Sequence, residues 1–366
     1  MKVLHLSAEK TWRGGEQQIA YLIEKSATLG VEILVACQRA SAFEDYCIRQ
    51  EVPHLSLSFR SLAGISAARS IKKICVTESI DLIHAHSSHA HGPAVISSAL
   101  GNPTPVILSR KVIIPLKKKI TTRWKYNHSC IKKIICVSDA VAEVLRPAIE
   151  SPERLVTVHD GIDLTRFQNL QTSERIRKEF NIPDHAPVIL NIAALSHDKD
   201  LFTFIRTAKK VVQKFPETRF LIAGSGPLKS ELEAEIQASG LTGKVILIGF
   251  RDDIPELLKQ CDLFLSTSQS EGLGSSILDA FATNTPVVAT DAGGIPELIQ
   301  HRKNGLLSPV ADHDALASCV TELIGDPELA NKLGKNGHEL VVERFTTSTM
   351  AKKTISHYRD LLQHHA

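Results

Sequence analysis

The chain has 366 residues, 43% of them hydrophobic and 23% charged, with a formal net charge of +3. That length favours two domains over one core, and the composition excludes a disordered, collagen-like or low-complexity chain. No apolar run approaches the roughly 18 residues of a membrane-spanning helix, so none is predicted. The first seven residues read as a strand rather than a cleaved leader. Seven cysteines, an odd number without a C-x-x-C pair, predict reduced thiols and a cytoplasmic setting. The charge is uneven: residues 1–165 hold 21 Lys/Arg against 15 Asp/Glu, and the remainder 22 against 25.

In chain order, residues 2–7, 31–37, 54–57, 82–86, 106–109, 134–137 and 155–159 are apolar, β-branched runs that read as strands. Amphipathic stretches at 16–29, 65–78 and 139–145 separate them at helical spacing. Strands alternating with helices in this way predict a parallel sheet covered on both faces, a doubly wound domain. After the polar stretch 169–180 the pattern starts again, with strands at 188–193, 220–223, 245–248, 263–266 and 287–290 and a first helix at 201–215. The predicted fold class is therefore α/β, with two doubly wound Rossmann-like domains, 1–168 and 169–346, facing a central cleft. A final helical pattern, 347–365, has no strand after it and is expected to pack on either domain, so 347–366 is set apart.

Four strand-to-helix turns are rich in small residues. They are Gly14-Gly15, Gly224-Ser225-Gly226-Pro227, Gly272-Leu273-Gly274-Ser275 before a helix at 277–283, and Gly293-Gly294. Pro227 is placed to begin a helix. Glycines let a ligand approach the backbone, and a helix N-terminus offers unpaired N–H groups to a diphosphate. Ordinary α/β loops are built the same way. No G-x-G-x-x-G or G-x-x-x-x-G-K-[ST] string occurs, which argues against a nicotinamide dehydrogenase and a P-loop phosphotransferase.

Glu271 and Asp279 bracket the start of the helix after Gly274. One carboxylate there suits a sugar's hydroxyls and the other a ribose, although two acids at this spacing more often are solvated or cap a helix. Lys199 falls in the loop after the second domain's first strand, with Asp200 placed to cap the next helix. The strings Asp198-Lys-Asp200 and Asp312-His-Asp314 read as a cap and a turn rather than a metal–diphosphate site. His84, His86, His89 and His91 cluster where a strand enters a helix containing Pro93. His84 and His86 share a face if both lie in the strand. No Cys or Glu joins them locally, so a cleft or structural role is preferred to a metal site.

In their joint order these motifs resemble the family 4 retaining glycosyltransferases of the GT-B fold. The residues that carry the resemblance are Gly14-Gly15-Glu16, Asp81-Leu-Ile-His84-Ala-His86, Ile135-Cys-Val137-Ser138-Asp139-Ala140 and Val158-His-Asp160-Gly161-Ile162-Asp163. Gly224-Ser-Gly226-Pro227, Glu271-Gly272, Gly293-Gly294 with Pro296-Glu297, and Asn304-Gly305-Leu-Leu307 continue the series over nearly the whole chain. The resemblance implies transfer of a sugar from a UDP- or GDP-linked donor to a hydroxyl acceptor, with retained configuration and no metal cofactor. It implies a donor-binding second domain and an acceptor-binding first domain.

Residue by residue, the resemblance implies that Lys199 meets the donor diphosphate, Glu271 the sugar hydroxyls and Asp279 the ribose. Gly272, Leu273, Gly274 and Ser275 would face sugar and phosphate, joined by Gly14, Gly15 and Gly224, and Arg251 would lie at the base. His86 completes the implied catalytic set by orienting the acceptor. Three positions depart from the family pattern: Asp279 stands where Glu is usual, Ala194 where an arginine is, and Arg110-Lys111 where a histidine is. Arg110 or Lys111 is expected to supply the missing positive charge. A fixed lysine and helix N-termini suit the chemistry, because breaking a glycosyl–diphosphate bond builds negative charge on the leaving phosphate.

From Arg110 to Lys133 nine basic residues occur without an acidic one, interleaved with Ile113, Ile114, Leu116, Ile120 and Trp124. Lys117, Lys118, Lys119 and Trp124 suit docking on an anionic membrane surface. A solvated helix face reads the same way, and one patch at net +3 is poor evidence for nucleic acid. The expected protein is cytoplasmic and peripheral on the inner face of the membrane, building a lipid-linked or cell-envelope glycan such as lipopolysaccharide or exopolysaccharide. A sugar-nucleotide epimerase of the same fold and a non-catalytic nucleotide-sugar-binding subunit are the alternatives.

Overall fold

The computed structural model of the chain describes residues 1–59, 64–168, 170 and 175–363. Residues 169 and 171–174 of the polar stretch, and 364–365 of the expected last helix, lie outside the described residues. The chain divides into two compact units, Met1–Gly161 with Thr347–Ala366, and Ile162–Thr346.

The first unit carries β1 (Lys2–Ser7), β2 (Glu32–Gln38), β3 (His54–Leu57), β4 (Leu82–Ala85), β5 (Val106–Arg110), β6 (Ile131–Cys136) and β7 (Leu155–Thr157). They form one parallel sheet in the order β3-β2-β1-β4-β5-β6-β7. The second unit carries β8 (Val188–Ile192), β9 (Arg219–Ala223), β10 (Val245–Gly249), β11 (Leu263–Ser266), β12 (Val287–Thr290) and β13 (Leu306–Ser308). These pair in parallel as β10-β9-β8-β11-β12-β13. Central strands β4, β11 and β12 are buried at every residue, as parallel strands covered on both faces must be. The strand order reverses between β1 and β4 in one unit and between β8 and β11 in the other. In open α/β sheets the carboxyl ends of strands at such a reversal are where ligands bind.

Three details differ from the sequence reading. The units divide at Gly161/Ile162 rather than at 168/169. The Ile162 N–H donates to the Phe345 carbonyl at 2.8 Å and Ile162 bridges Thr346, so this segment is tied to the second unit. Edge strand β13 has no counterpart in the sequence reading, because three residues are too few to show an alternation. Pro227 sits in a turn, and the helix it was expected to open begins at Lys229.

Helix Thr347–Gln363 packs with the first unit. Met350, Ala351, Thr354, Ile355, Tyr358 and Leu361 recur every three or four residues along it, giving one apolar stripe. That stripe joins Val3, Tyr21, Leu22, Leu82, Ile107 and Ile135 in a single cluster. Each large side chain buried there contributes roughly 1.5–3 kcal/mol. The second unit has its own core, with Phe204 against Phe220 edge to face at 5.5 Å. Among the described residues no helix is long and apolar enough to cross a membrane.

Candidate functional site

Lys199 and Glu271, separated by 72 residues, meet at the β8/β11 reversal: Nζ lies 2.5 Å from Oε2. Backbone contacts between two loops bring them there. Asp200 adopts a left-handed conformation (φ 42°) and its carboxylate accepts from the Thr203 N–H at 3.2 Å, starting helix Leu201–Lys214. The Thr267 hydroxyl donates to the carbonyls of Lys199 and Asp200 at 3.1 and 3.0 Å. The Gln269 N–H donates to the Asp198 carbonyl at 2.8 Å, and the Gln269 amide to the Asp200 carboxylate at 2.9 Å. Asp198 adds a second carboxylate 3.3 Å from Lys199. Burial weakens the hold of Lys199 on its proton, but Glu271 and Asp198 outweigh it and keep the ammonium above its ordinary range.

Helix Ser275–Ala282 begins beside this pair. Gly274 precedes it at φ +104°, where a side chain would be strained, and a Cβ there would lie 3.6 Å from Glu271 Cγ. The Gly294 N–H donates to the Glu271 carbonyl at 3.0 Å, which fixes the loop from the other side. Leu273 is buried beneath, whereas Ser275 is exposed. Asp279, one turn into the helix, is partly buried. Burial pushes its carboxyl up to about 6, with the Arg166 guanidinium acting in the opposite direction.

At the β1/β4 reversal of the first unit three imidazoles gather. His5 and His84 are register partners on adjacent strands, and His86 follows β4 directly. His5 Nδ1 lies 2.8 Å from His86 Nε2, and His84 Nε2 lies 2.8 Å from Ser109 Oγ. His84 Nδ1 meets the Tyr358 hydroxyl of the C-terminal helix at 2.5 Å. Burial holds all three imidazoles neutral, His5 falling to about 3, with Lys111 adding to the effect on His84 and His86. One nitrogen from each ring lies within 4.8 Å of the others. A shared metal fits this arrangement poorly. The His5–His86 separation is that of a hydrogen bond, shorter than the roughly 3.3 Å between two ligands of one tetrahedral zinc, and His84 engages both nitrogens with hydroxyls.

Several residues expected at the ligand also have partners within the fold. Arg251, expected at the base, places its guanidinium on Asp253 at 2.6 and 2.8 Å and on Glu179 at 2.6 and 3.3 Å, which ties Arg175–Glu179 to the loop after β10. Those two carboxylates hold it above its usual range. Gly224 is glycine because the backbone requires it: a Cβ would stand 1.8 Å from the Ala193 carbonyl oxygen. Lys111 pairs with Asp160, whereas Arg110 donates to the Ile114 carbonyl at 2.6 Å and to the Tyr126 hydroxyl at 3.4 Å, neutral partners that leave its positive charge in place. Gly14 and Gly15 open helix Gly14–Ser26; a Cβ on Gly15 would meet only Lys111 Cδ, at 4.0 Å, so the fold does not demand a glycine there.

The basic stretch contains a short helix, Ile120–Asn127. Ile120 is 85% exposed, Ile114 60% and Trp124 48%, among exposed Lys117, Lys118 and Lys119. Sequence reasoning passed over His5, Tyr358 and Phe250, the last 80% exposed just beyond β10, and gave Asp160 a place in a motif but no partner. For His5 a signal existed, a polar residue on the alternating apolar face of β1. For Tyr358 there was none, because its partner is 274 residues away.

The comparisons with known proteins agree with one another. The model for "Glycosyltransferase Family 4" matches residues 12–166, and that for "Glycosyl transferases group 1" matches 172–340. The chain is 24% identical over 347 residues to the Escherichia coli UDP-Gal:alpha-D-GlcNAc-diphosphoundecaprenol alpha-1,3-galactosyltransferase, covering 90% of this chain and 89% of that protein. It is 22% identical over 305 residues to N-acetyl-alpha-D-glucosaminyl L-malate synthase of Bacillus anthracis, covering 82% and 80%. The Anabaena protein HepE, solved with UDP and glucose, superposes with a TM-score of 0.83 at 22% identity, over 98% of this chain and 99% of that one.

Proposed function

The chain belongs to the family 4 glycosyltransferases of the GT-B fold, enzymes acting on nucleotide sugars, and from that premise we propose that it moves a sugar from a UDP-linked donor to a hydroxyl acceptor, with retained configuration and without a metal ion. The observation that carries this reading is the Lys199–Glu271 pair beside the N-terminus of Ser275–Ala282, at a strand-order reversal. The donor diphosphate takes the Lys199 ammonium and the N–H groups that open the helix. Glu271, released from Lys199, accepts from the sugar hydroxyls, and Asp279 accepts from the ribose. As the glycosyl–oxygen bond breaks, the bonding pair leaves with the diphosphate, where Lys199 and the amides stabilise it; one such fixed donor is worth roughly 10²–10³ in rate. The acceptor oxygen bonds the anomeric carbon from the same face, and its proton passes to the departing phosphate, so no protein base is needed.

We propose a lipid-linked or cell-envelope glycan as acceptor, reached from an anionic membrane surface. The name of the Escherichia coli relative, which specifies a diphosphoundecaprenol-linked substrate, supports this, as do Ile114, Ile120 and Trp124 exposed among lysines. Calorimetry with UDP, GDP, ADP and NAD tests the donor reading. UDP binding is expected, weakened tenfold or more (about 1.4 kcal/mol) by Lys199→Ala, with slow release of free sugar from the matching UDP-sugar and no effect of EDTA. Binding of NAD alone, or of no nucleotide, overturns the reading.

A further inference from the structure

The hydrogen bonds around β1 and β4 determine where three imidazole protons sit. Tyr358 is fully buried, and its phenol, held neutral by burial, has no hydrogen-bond partner among the described residues besides His84 Nδ1. If His84 donated from Nδ1, the phenol O–H would be left buried without an acceptor, a cost of about 1–3 kcal/mol. Tyr358 therefore donates to Nδ1, and His84 carries its proton on Nε2, donating to Ser109 Oγ. His5 poses the same question. Its Nε2 is buried with no partner, while Nδ1 faces His86 Nε2. A buried N–H without an acceptor is rarer and costlier than an unused lone pair. The lone pair therefore occupies the orphaned Nε2, and His5 donates from Nδ1 to His86 Nε2. His86 must then hold its own proton on Nδ1.

Resting on the transferase reading above, we infer that His5 is a positioning residue: it fixes His86 as a neutral Nδ1–H donor to an oxygen of the acceptor substrate, not as a base. His86, His84, Ser109, Lys111 and Asp160 line a cavity of about 30 Å³, room for one water or one hydroxyl. A donor to the acceptor's hydroxyl oxygen turns that hydroxyl's own proton away from the imidazole. The proton is then free to pass to the departing phosphate, and His86 keeps its own throughout. The charged and titratable groups around it are His5, His84, Lys111, Asp160 and, through His84, Tyr358. The Lys111–Asp160 pair brings no net charge to this wall.

Nitrogen-15 NMR of the histidine-labelled full chain reads the tautomers directly, with signals assigned by their loss in His5→Gln, His84→Gln and His86→Gln. His5 and His86 are expected to be pyrrole-like at Nδ1 and His84 at Nε2, all three staying neutral between about pH 5 and 8. A proton on His86 Nε2, or titration of His86 in that range, overturns the inference. His5→Phe is expected to release the His86 tautomer and lower kcat tenfold or more, with KM for the nucleotide sugar within twofold. His5→Asn, whose amide returns an N–H near the position of Nδ1, is expected to restore both. Loss of kcat in His5→Phe while His86 stays protonated on Nδ1 would reduce His5 to packing and sink the inference. The tautomers are read without turnover, so a chain that binds no nucleotide sugar overturns the proposed transfer separately.

Discussion

Asp279→Asn is expected to stabilise the protein and weaken its ligand at once. The carboxyl stands at about 6 against 3.8 for an unperturbed aspartate. At about 1.4 kcal/mol per pH unit this is about 3 kcal/mol, an upper figure because the residue keeps some exposure. The folded value lies above the unfolded one, so the folded state holds the proton more tightly. The penalty is absent below about pH 4, grows as the pH rises, and is complete above about pH 6. Asn carries no such penalty, so the variant is expected to gain about 1–3 kcal/mol near pH 7.5, several degrees in Tm, and nothing near pH 4. UDP affinity moves the other way. A ribose hydroxyl donating to the carboxylate is worth about 1.5–3 kcal/mol, so Kd rises roughly tenfold to a hundredfold. In the wild type the ligand favours the ionised form, so binding tightens as pH rises through about 6 and releases a proton there. Scanning calorimetry at both pH values, and titrations in buffers of different ionisation enthalpy, measure the two effects. A variant no more stable than wild type near pH 7.5, or UDP binding flat between about pH 5 and 7, refutes the reasoning.

Gly224→Ala places a Cβ 1.8 Å from the Ala193 carbonyl oxygen and should cost about 2 kcal/mol or more in chemical denaturation. Gly15→Ala should leave stability equal or up to about 1 kcal/mol higher while lowering transfer, since only a ligand needs that space; a folding defect there refutes it. Arg251→Ala is expected to lower Tm by freeing Arg175–Glu179, with UDP affinity within threefold. A tenfold affinity loss at unchanged Tm would return Arg251 to the base. In flotation with anionic liposomes, replacing Lys117, Lys118 and Lys119 together by alanine is expected to remove about 3 kcal/mol of attraction, and equal flotation of variant and wild type rules the membrane surface out.

Hydrophobic runs located twelve of the strands to within a few residues, because parallel strands buried on both faces are near-continuous in Val, Ile and Leu. Their order was legible only as a class, since register depends on partners far along the chain. At the site, Lys199 and Glu271 were each legible in their loops, but not their ion pair, which depends on Thr267 and Gln269 stitching one loop to the other. Arg251 shows the same limit: a guanidinium after a strand points to a ligand, and its ion pair with Glu179, 72 residues away, leaves no mark in the local sequence. The pairing of Gly224 with Ala193 is likewise a close approach between two backbones that no local pattern records.

Helix Thr347–Gln363 gives the chain an order of assembly. Val3, Tyr21, Leu22, Leu82 and Ile107 stay uncovered until a segment made after the whole of Ile162–Thr346 has emerged, a delay on the order of ten seconds or more at typical synthesis rates. During that interval the first sheet keeps apolar side chains open to water, the kind of transient surface that makes chains aggregation-prone. A ribosome that stalls anywhere before Met350 releases a product with one open apolar face, and only chains read through to the end of that helix place the Tyr358 hydroxyl on the histidine cluster that β1 and β4 assemble.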